Sequence, residues 1–209
     1  MNTPQNSTDF QETTRDRLLA AAREVFAELG FKGATVREIC RRAEVNVAAV
    51  NYHFNGKEAL FMAALELEPI VNLIGTSREG DSAEMRLTRF IREFMTRLMD
   101  GGCTPHSQLI MRELLEPSPA LDSIAREIMV PLHEHLAGLV REIVGDAVAP
   151  GKVRLCVFSI FGQCTYYRNA REINRHVYPE LEYDADEIET TANHIAEFSL
   201  AGLQRVNVK

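Results

Sequence analysis

The stretch 35–57, TVREICRRAEVNVAAVNYHFNGK, constrains this chain more than any other. Its spacing predicts a helix, a tight turn and a short second helix. Thr35 and Glu38 stand at capping-box spacing: the threonine oxygen accepts from the Glu38 N–H, and the Glu38 carboxylate reaches back to the Thr35 N–H. Val36, Ile39 and Ala43 then share one helical face, with Arg37, Arg41 and Arg42 outside it. Ala43-Glu44-Val45 forms the turn, with Val45 as its apolar peg. Asn46 caps a second helix whose core residue is Val50. Val47, Ala48, Ala49, Asn51, Tyr52 and His53 are left for other faces, and small residues there let the backbone approach another surface closely. A short helix with one buried anchor, set steeply to its predecessor, is the helix-turn-helix layout, whose second helix enters the DNA major groove.

The pattern extends in both directions. It begins at Leu19 in a first helix (LLAAAREVFAELGFKGATVREI) and runs through Ala43, Val45, Tyr52-His53-Phe54 and Gly56-Lys57-Glu58-Ala59-Leu60. In these residues, about the first third of the chain, it resembles the TetR family of transcriptional regulators. Two positions depart from the family pattern. Glu44 replaces the usual turn glycine, which implies slight strain or a different turn, because glycine takes a left-handed conformation at little cost. Asn51 replaces the usual aromatic before Tyr52. The resemblance implies an all-α protein: an N-terminal three-helix DNA-binding domain with a helix-turn-helix, and a C-terminal helical ligand-binding and dimerisation domain. It also implies double-stranded operator DNA as partner, a homodimer through the last two long helices, and a small-molecule effector.

Charge is distributed to match. The chain of 209 residues carries a net charge of −7, which does not suit a general nucleic-acid binder. Over 32–57, however, Lys32, Arg37, Arg41, Arg42 and Lys57 face only Glu38 and Glu44, leaving +3 there and −10 elsewhere. A small basic patch on an acidic body fits a protein that meets DNA with one end. The four cysteines lack close pairing and read as free thiols. The polar start lacks the apolar core of a signal peptide, and no uncharged run reaches membrane-span length, so a cytoplasmic protein without membrane partner is expected.

Taken in order, residues 1–12 read as a flexible arm, 13–58 as the DNA-binding domain and 59–209 as the regulatory and dimerisation domain. Helix 1 starts near Thr13 or Thr14, carries Leu18, Leu19, Ala22, Val25, Phe26 and Leu29 on one stripe, and stops at Gly30. Lys57 opens a fourth helix running through Leu65 and Leu67, the natural lever between the two domains. A helix capped at Asp81 or Ser82 carries Met85, Leu87, Phe90, Ile91, Phe94, Met95, Leu98 and Met99. Another begins at Thr104-Pro105. A long helix after Ser118-Pro119 holds Pro131, which removes a backbone bond and should bend it. The helix over 152–171 contains the uncharged run LCVFSIFGQCTYY, which must be buried on nearly all sides, by its own core on one face and by another subunit on the other. The last helix starts at Asp184 or Asp186 and carries a stripe of Ile188, Ala192, Ile195, Ser199 and Gly202. The small residues of that stripe and the uncharged helix agree with a dimer seam.

The DNA-contacting set is Thr35, Arg37, Asn46, Val47, Ala49, Asn51, Tyr52, His53 and Lys57. Tyr52, His53, Lys57 and the Thr35 end of the second helix hold phosphates, while Val47, Ala49 and Asn51 face bases. The Met- and Phe-rich body suggests an apolar effector pocket involving Met95, Met99, Gln108, Met111, Arg112, Gln163 and Tyr166. No enzyme, metal site or cofactor is implied. The six histidines are scattered, His133 and His135 point to different helix faces, and the E-x-x-H repeat of helical metal proteins is missing. The best functional reading is a sequence-specific regulator, most simply a ligand-released homodimeric repressor on a palindromic operator. The alternatives are an activator, or a small-molecule-binding dimer with a degenerate DNA-binding unit.

Overall fold

A computed structural model describes residues 13–65, 72–75, 80–99, 112–113 and 115–206. The regular structure among them is helical, as the sequence predicts. The chain forms two compact units, one of 1–66 with 103–121 and the other of 67–102 with 122–209.

In the first unit, α1 (Thr14–Gly33) opens on a full capping box: the Thr13 hydroxyl oxygen accepts the Asp16 N–H at 3.2 Å and the Asp16 carboxylate accepts the Thr13 N–H at 3.3 Å. Leu18, Leu19, Ala22, Val25 and Phe26 are buried as expected, but Leu29 is 43% exposed. Gly30 breaks the helix with φ +68°, and one more turn follows to Gly33 where a loop was expected. Helices α2 (Val36–Arg42) and α3 (Ala48–Phe54) form the helix-turn-helix. Helix α4 (Lys57–Ala64) packs Leu60, Phe61 and Ala64 inward, chiefly against α1, with Phe26 and Phe61 edge to face at 4.9 Å. The sequence division after residue 58 falls at the start of α4, and the first compact unit includes that helix. Leu67 and the helix start at Thr104-Pro105 lie outside the described residues.

The second unit is built on α5 (Ala83–Met99), α6 (Val130–Val144), α7 (Pro150–Asn169), α8 (Arg171–Val177) and α9 (Ala185–Val206). Ser82 caps α5 by accepting the Met85 N–H. Leu87, Phe90, Ile91, Phe94, Met95 and Met99 of α5 are buried, and its most extensive partner is α9. Met85, expected on that stripe, is exposed. The bend expected at Pro131 takes a specific form. A helical turn at Leu121–Ile124 passes into a π-helical turn at Ala125–Met129, closed by the Val130 N–H on the Ala125 carbonyl. The widened turn lies just before Pro131, whose missing N–H and bulky ring disfavour regular α-helical bonding in the preceding turn. The short helix α8 falls where a loop was expected.

Helix α7 has two apolar faces. Val153, Val157, Ile160, Phe161 and Cys164 are buried, but Leu155, Phe158 and Tyr166 are each more than half exposed in the single chain. The small-residue stripe of α9 is corrected: Ala192 and Ser199 are buried, Gly202 is exposed, and the large apolar group presented outward is Phe198, 63% exposed. Among the described residues no helix is long and apolar enough to cross a membrane.

Candidate nucleic-acid interface

The turn between α2 and α3 is a Schellman motif. The Val45 N–H donates to the Cys40 carbonyl at 3.0 Å and the Glu44 N–H to the Arg41 carbonyl at 3.3 Å. Glu44 occupies the left-handed position with φ +54°, so the backbone keeps the glycine geometry without the glycine. Arg17 of α1 secures the turn by donating to the Glu44 carbonyl at 3.0 Å. The Thr35 hydroxyl oxygen accepts the Glu38 N–H at 3.1 Å, as expected. The Glu38 carboxylate, expected to complete that box, is taken instead by Arg41 (2.8 and 2.7 Å) and Arg42 (3.0 Å). The two guanidiniums hold the Glu38 carboxyl down to about 2.

Arg42 also grips Glu28 of α1 through two bonds of 2.8 and 2.7 Å. It is therefore a cross-link between α1 and α2 rather than an open cation. Arg41, though paired with Glu38, keeps its side chain 69% exposed, and Arg37 is exposed at the start of α2.

Asn46 caps α3 as expected: its side-chain oxygen accepts the Ala48 N–H at 2.8 Å and its carbonyl the Ala49 N–H at 2.9 Å. Val50 is buried, and so is Phe54, a second anchor the sequence reading did not assign. The i, i+4 spacing of the two was the available signal. With these two turned inward, Asn46, Val47, Ala48, Asn51 and Tyr52 are exposed, Tyr52 to 86%. Ala49 and His53 are half-buried, and the Tyr52 and His53 rings meet edge to face at 4.8 Å. Thr35 and Arg37 are exposed at the start of α2.

After α3, Asn55 (φ +58°) and Gly56 (φ +118°) turn the chain into α4. Lys57 starts α4, and its ammonium lies 4.4 Å above the Phe31 ring centre. Partial burial lowers the Lys57 pKa. The structure thus groups Thr35, Arg37, Asn46, Val47, Ala49, Asn51, Tyr52, His53 and Lys57 within the helix-turn-helix and the start of α4.

The residues expected around an effector divide differently. Met95 and Met99 are buried in the core of the second unit beside an aromatic cluster. There Phe94 meets Phe161 at 5.4 Å, and His133 stacks on Phe161 at 4.6 Å. Gln163 and Tyr166 line a groove of about 350 Å³ between α7 and α9, whose lining does not include Met95 or Met99. Gln163 donates to the Ser159 carbonyl and the Ser199 hydroxyl, and the Tyr166 hydroxyl donates to Asn174. Arg112 belongs to the first unit and donates to the Ala27 and Glu28 carbonyls at 3.4 and 2.9 Å. These carbonyls lie next to the break at Gly30, so Arg112 acts as a cap on the interrupted α1. Gln108 and Met111 lie outside the described residues.

Comparison with known proteins agrees with this geometry at both ends. Residues 18–64 match the family described as bacterial regulatory proteins, tetR family. Residues 83–203, more than half of the chain, match the C-terminal domain of the HTH-type transcriptional dual regulator CecR. CecR of Shigella flexneri is 29% identical over 177 residues, covering 77% of this chain and 78% of its own. The HTH-type transcriptional repressor NicS of Pseudomonas putida is 25% identical over 208 residues, covering 93% and 94%. Among solved structures, the transcriptional regulator FadR from Bacillus subtilis in complex with stearoyl-CoA shares the fold. Its TM-score is 0.63 at 20% identity, over 89% of this chain and 97% of that one. The Schellman turn, the doubly anchored α3 and the matches at both ends converge: the chain belongs to the TetR family of DNA-binding transcriptional regulators, with a C-terminal domain of the CecR type.

Proposed function

We propose that the protein is a repressor that binds a palindromic operator as a homodimer and is released by a small-molecule effector. The observation that carries the DNA reading is the doubly anchored α3, with Val50 and Phe54 turned inward and Val47, Asn51 and Tyr52 turned out. In this reading Thr35, Arg37, Tyr52, His53 and Lys57 hold phosphates, and Val47, Ala49 and Asn51 meet base edges. Asparagine suits adenine N6 and N7, and apolar side chains suit the thymine methyl.

The dimer reading rests on the second unit. Leu155, Phe158, Tyr166 and Phe198 expose apolar surface on α7 and α9, and a second groove of about 250 Å³ runs between these helices past Ser159 and Gly202. A two-fold axis there makes the operator an imperfect palindrome with half-sites about one DNA turn apart. NicS is named a repressor, whereas CecR is named a dual regulator. Activation from a second operator position is therefore the reading to test beside repression. The stearoyl-CoA held by the FadR neighbour supports small-molecule binding as a class of regulation. The effector body would be the Met- and Phe-rich core around Met95 and Met99, with α4, which starts at Lys57, as the lever. An effector that prefers the DNA-free form weakens operator binding by the same factor that the operator weakens the effector, typically about 1–3 kcal/mol.

The test is footprinting of the purified protein on DNA upstream of its own gene. A protected, two-fold symmetric site overlapping the promoter is the expected result. An asymmetric footprint sinks the dimer reading, and a site wholly upstream of the promoter argues for activation.

A further inference from the structure

We propose that the first unit holds a small-molecule site of its own, one that takes an organic ammonium on an aromatic or aliphatic body. The proposal does not depend on the effector reading, which concerns the second unit. A cavity of about 340 Å³ opens beside the end of α1, within the size range of small-molecule sites. Fully buried Phe61 and half-buried Phe31 line it, their rings edge to face at 5.1 Å, and Leu29 lines it from an exposed position.

Glu113 lines the same cavity and is only 5% exposed. Its carboxyl oxygen accepts the Ser118 N–H and the Ser118 hydroxyl, each at 2.8 Å, and both donors are neutral. Among the described residues it forms no ion pair. The adjacent Arg112 is already engaged by the Ala27 and Glu28 carbonyls and by Glu116. A ligand ammonium at that wall would add a charge-assisted donor to the two neutral donors the Glu113 carboxyl already accepts. Half-buried Phe31 and exposed Leu29 offer the ligand's apolar body their area, and fully buried Phe61 backs the wall behind them. Lys32 also lines the cavity from an exposed position, and the Arg112 guanidinium there is held by the Ala27 and Glu28 carbonyls and by Glu116. Phe31 is also the ring beneath the Lys57 ammonium, so a ligand packed on it bears directly on a proposed phosphate contact.

The experiment is calorimetric titration of the full-length protein with 2-phenylethylamine, 2-phenylethanol and phenylacetate. The amine is expected to bind at least about tenfold more tightly than the other two, the difference between a charge-assisted and a neutral hydrogen bond. Glu113→Gln should abolish that preference. Leu29→Trp, which fills the cavity from an exposed position without touching Glu113, should abolish amine binding while leaving the thermal midpoint unchanged. Equal affinity for amine and alcohol, tighter binding of phenylacetate, or unchanged amine affinity in Leu29→Trp each overturns the proposal. If Glu113→Gln does not fold, the three-probe comparison and Leu29→Trp decide it alone.

Discussion

At position 44 a glutamate occupies a left-handed turn that glycine fits without strain. The surrounding bonds keep it there: two Schellman bonds and the Arg17 guanidinium all use backbone groups of the turn, none of which needs the carboxylate. Glu44→Gly should therefore stabilise the protein by about 1 kcal/mol, the cost of a side chain in that conformation. A lower urea midpoint in the variant would count against strain at this residue. The sequence made the departure visible, and the structure supplied its cause. It could not make Arg42 visible as a cross-link, because Glu28 lies on another helix and only the α1–α2 packing brings it within 2.7 Å. Lys57 is similar: its position at the start of α4 was legible, its seat over Phe31 was not. Lys57→Ala should weaken all DNA sequences about equally and reduce the salt slope by about one unit. Asn51→Ala should instead lose discrimination of about 1–3 kcal/mol at a single base pair. Uniform losses in both variants would refute this division between anchors and readers.

Long helices were legible as elements from their caps, their apolar stripes or, for α7, a long uncharged run, whereas a short helix with none of these was not. Helix α8 has seven residues and no side-chain cap, so nothing in 171–177 announced it. The uncharged run of α7 announced two apolar faces, but not which residues fall on each: Val153, Val157, Ile160, Phe161 and Cys164 turn to the core, and Leu155, Phe158 and Tyr166 turn out. On α6, Pro131 announced a disturbance but not its form as a π-helical turn. That helix also carries His133 and His135 on either side of the aromatic core, against Phe161 and Phe90. Burial lowers both imidazole pKa values, aided at His135 by Arg86, which is itself bonded to Glu142. The folded state therefore resists protonation, while the unfolded chain takes up protons near an ordinary histidine pKa of about 6.5. The unfolded state binds more protons below that value, so stability should fall as pH drops from about 7 toward 5. Urea midpoints across that range should show the slope in the native protein and a shallower one in His133→Phe. An unchanged slope in the variant removes His133 as a source.

For the molecule as a whole, the exposed Leu155, Phe158, Tyr166 and Phe198 set the strongest expectation. The double substitution Leu155→Asp with Phe198→Asp should yield a folded monomer by light scattering, with helical content unchanged. Its operator affinity should fall by at least about a hundredfold, because each half-site is then held without its twin. A double variant that remains dimeric would relocate the interface. The all-helical architecture and the helix-turn-helix were legible because they rest on periodicity and capping within short stretches. The internal partners of α5 were not, since its pairing with α9 joins residues about a hundred positions apart, as Arg92 and Asn193 do.

The inward anchors Val50 and Phe54 separate what fastens α3 from what it displays. Descendants of this chain could acquire new operator preferences by exchanging the exposed Val47 and Asn51 while the scaffold stays under no added burden. Divergence in gene targets would then run faster than divergence in fold, and a laboratory library confined to those two positions should yield new sequence preferences at nearly constant thermal midpoint.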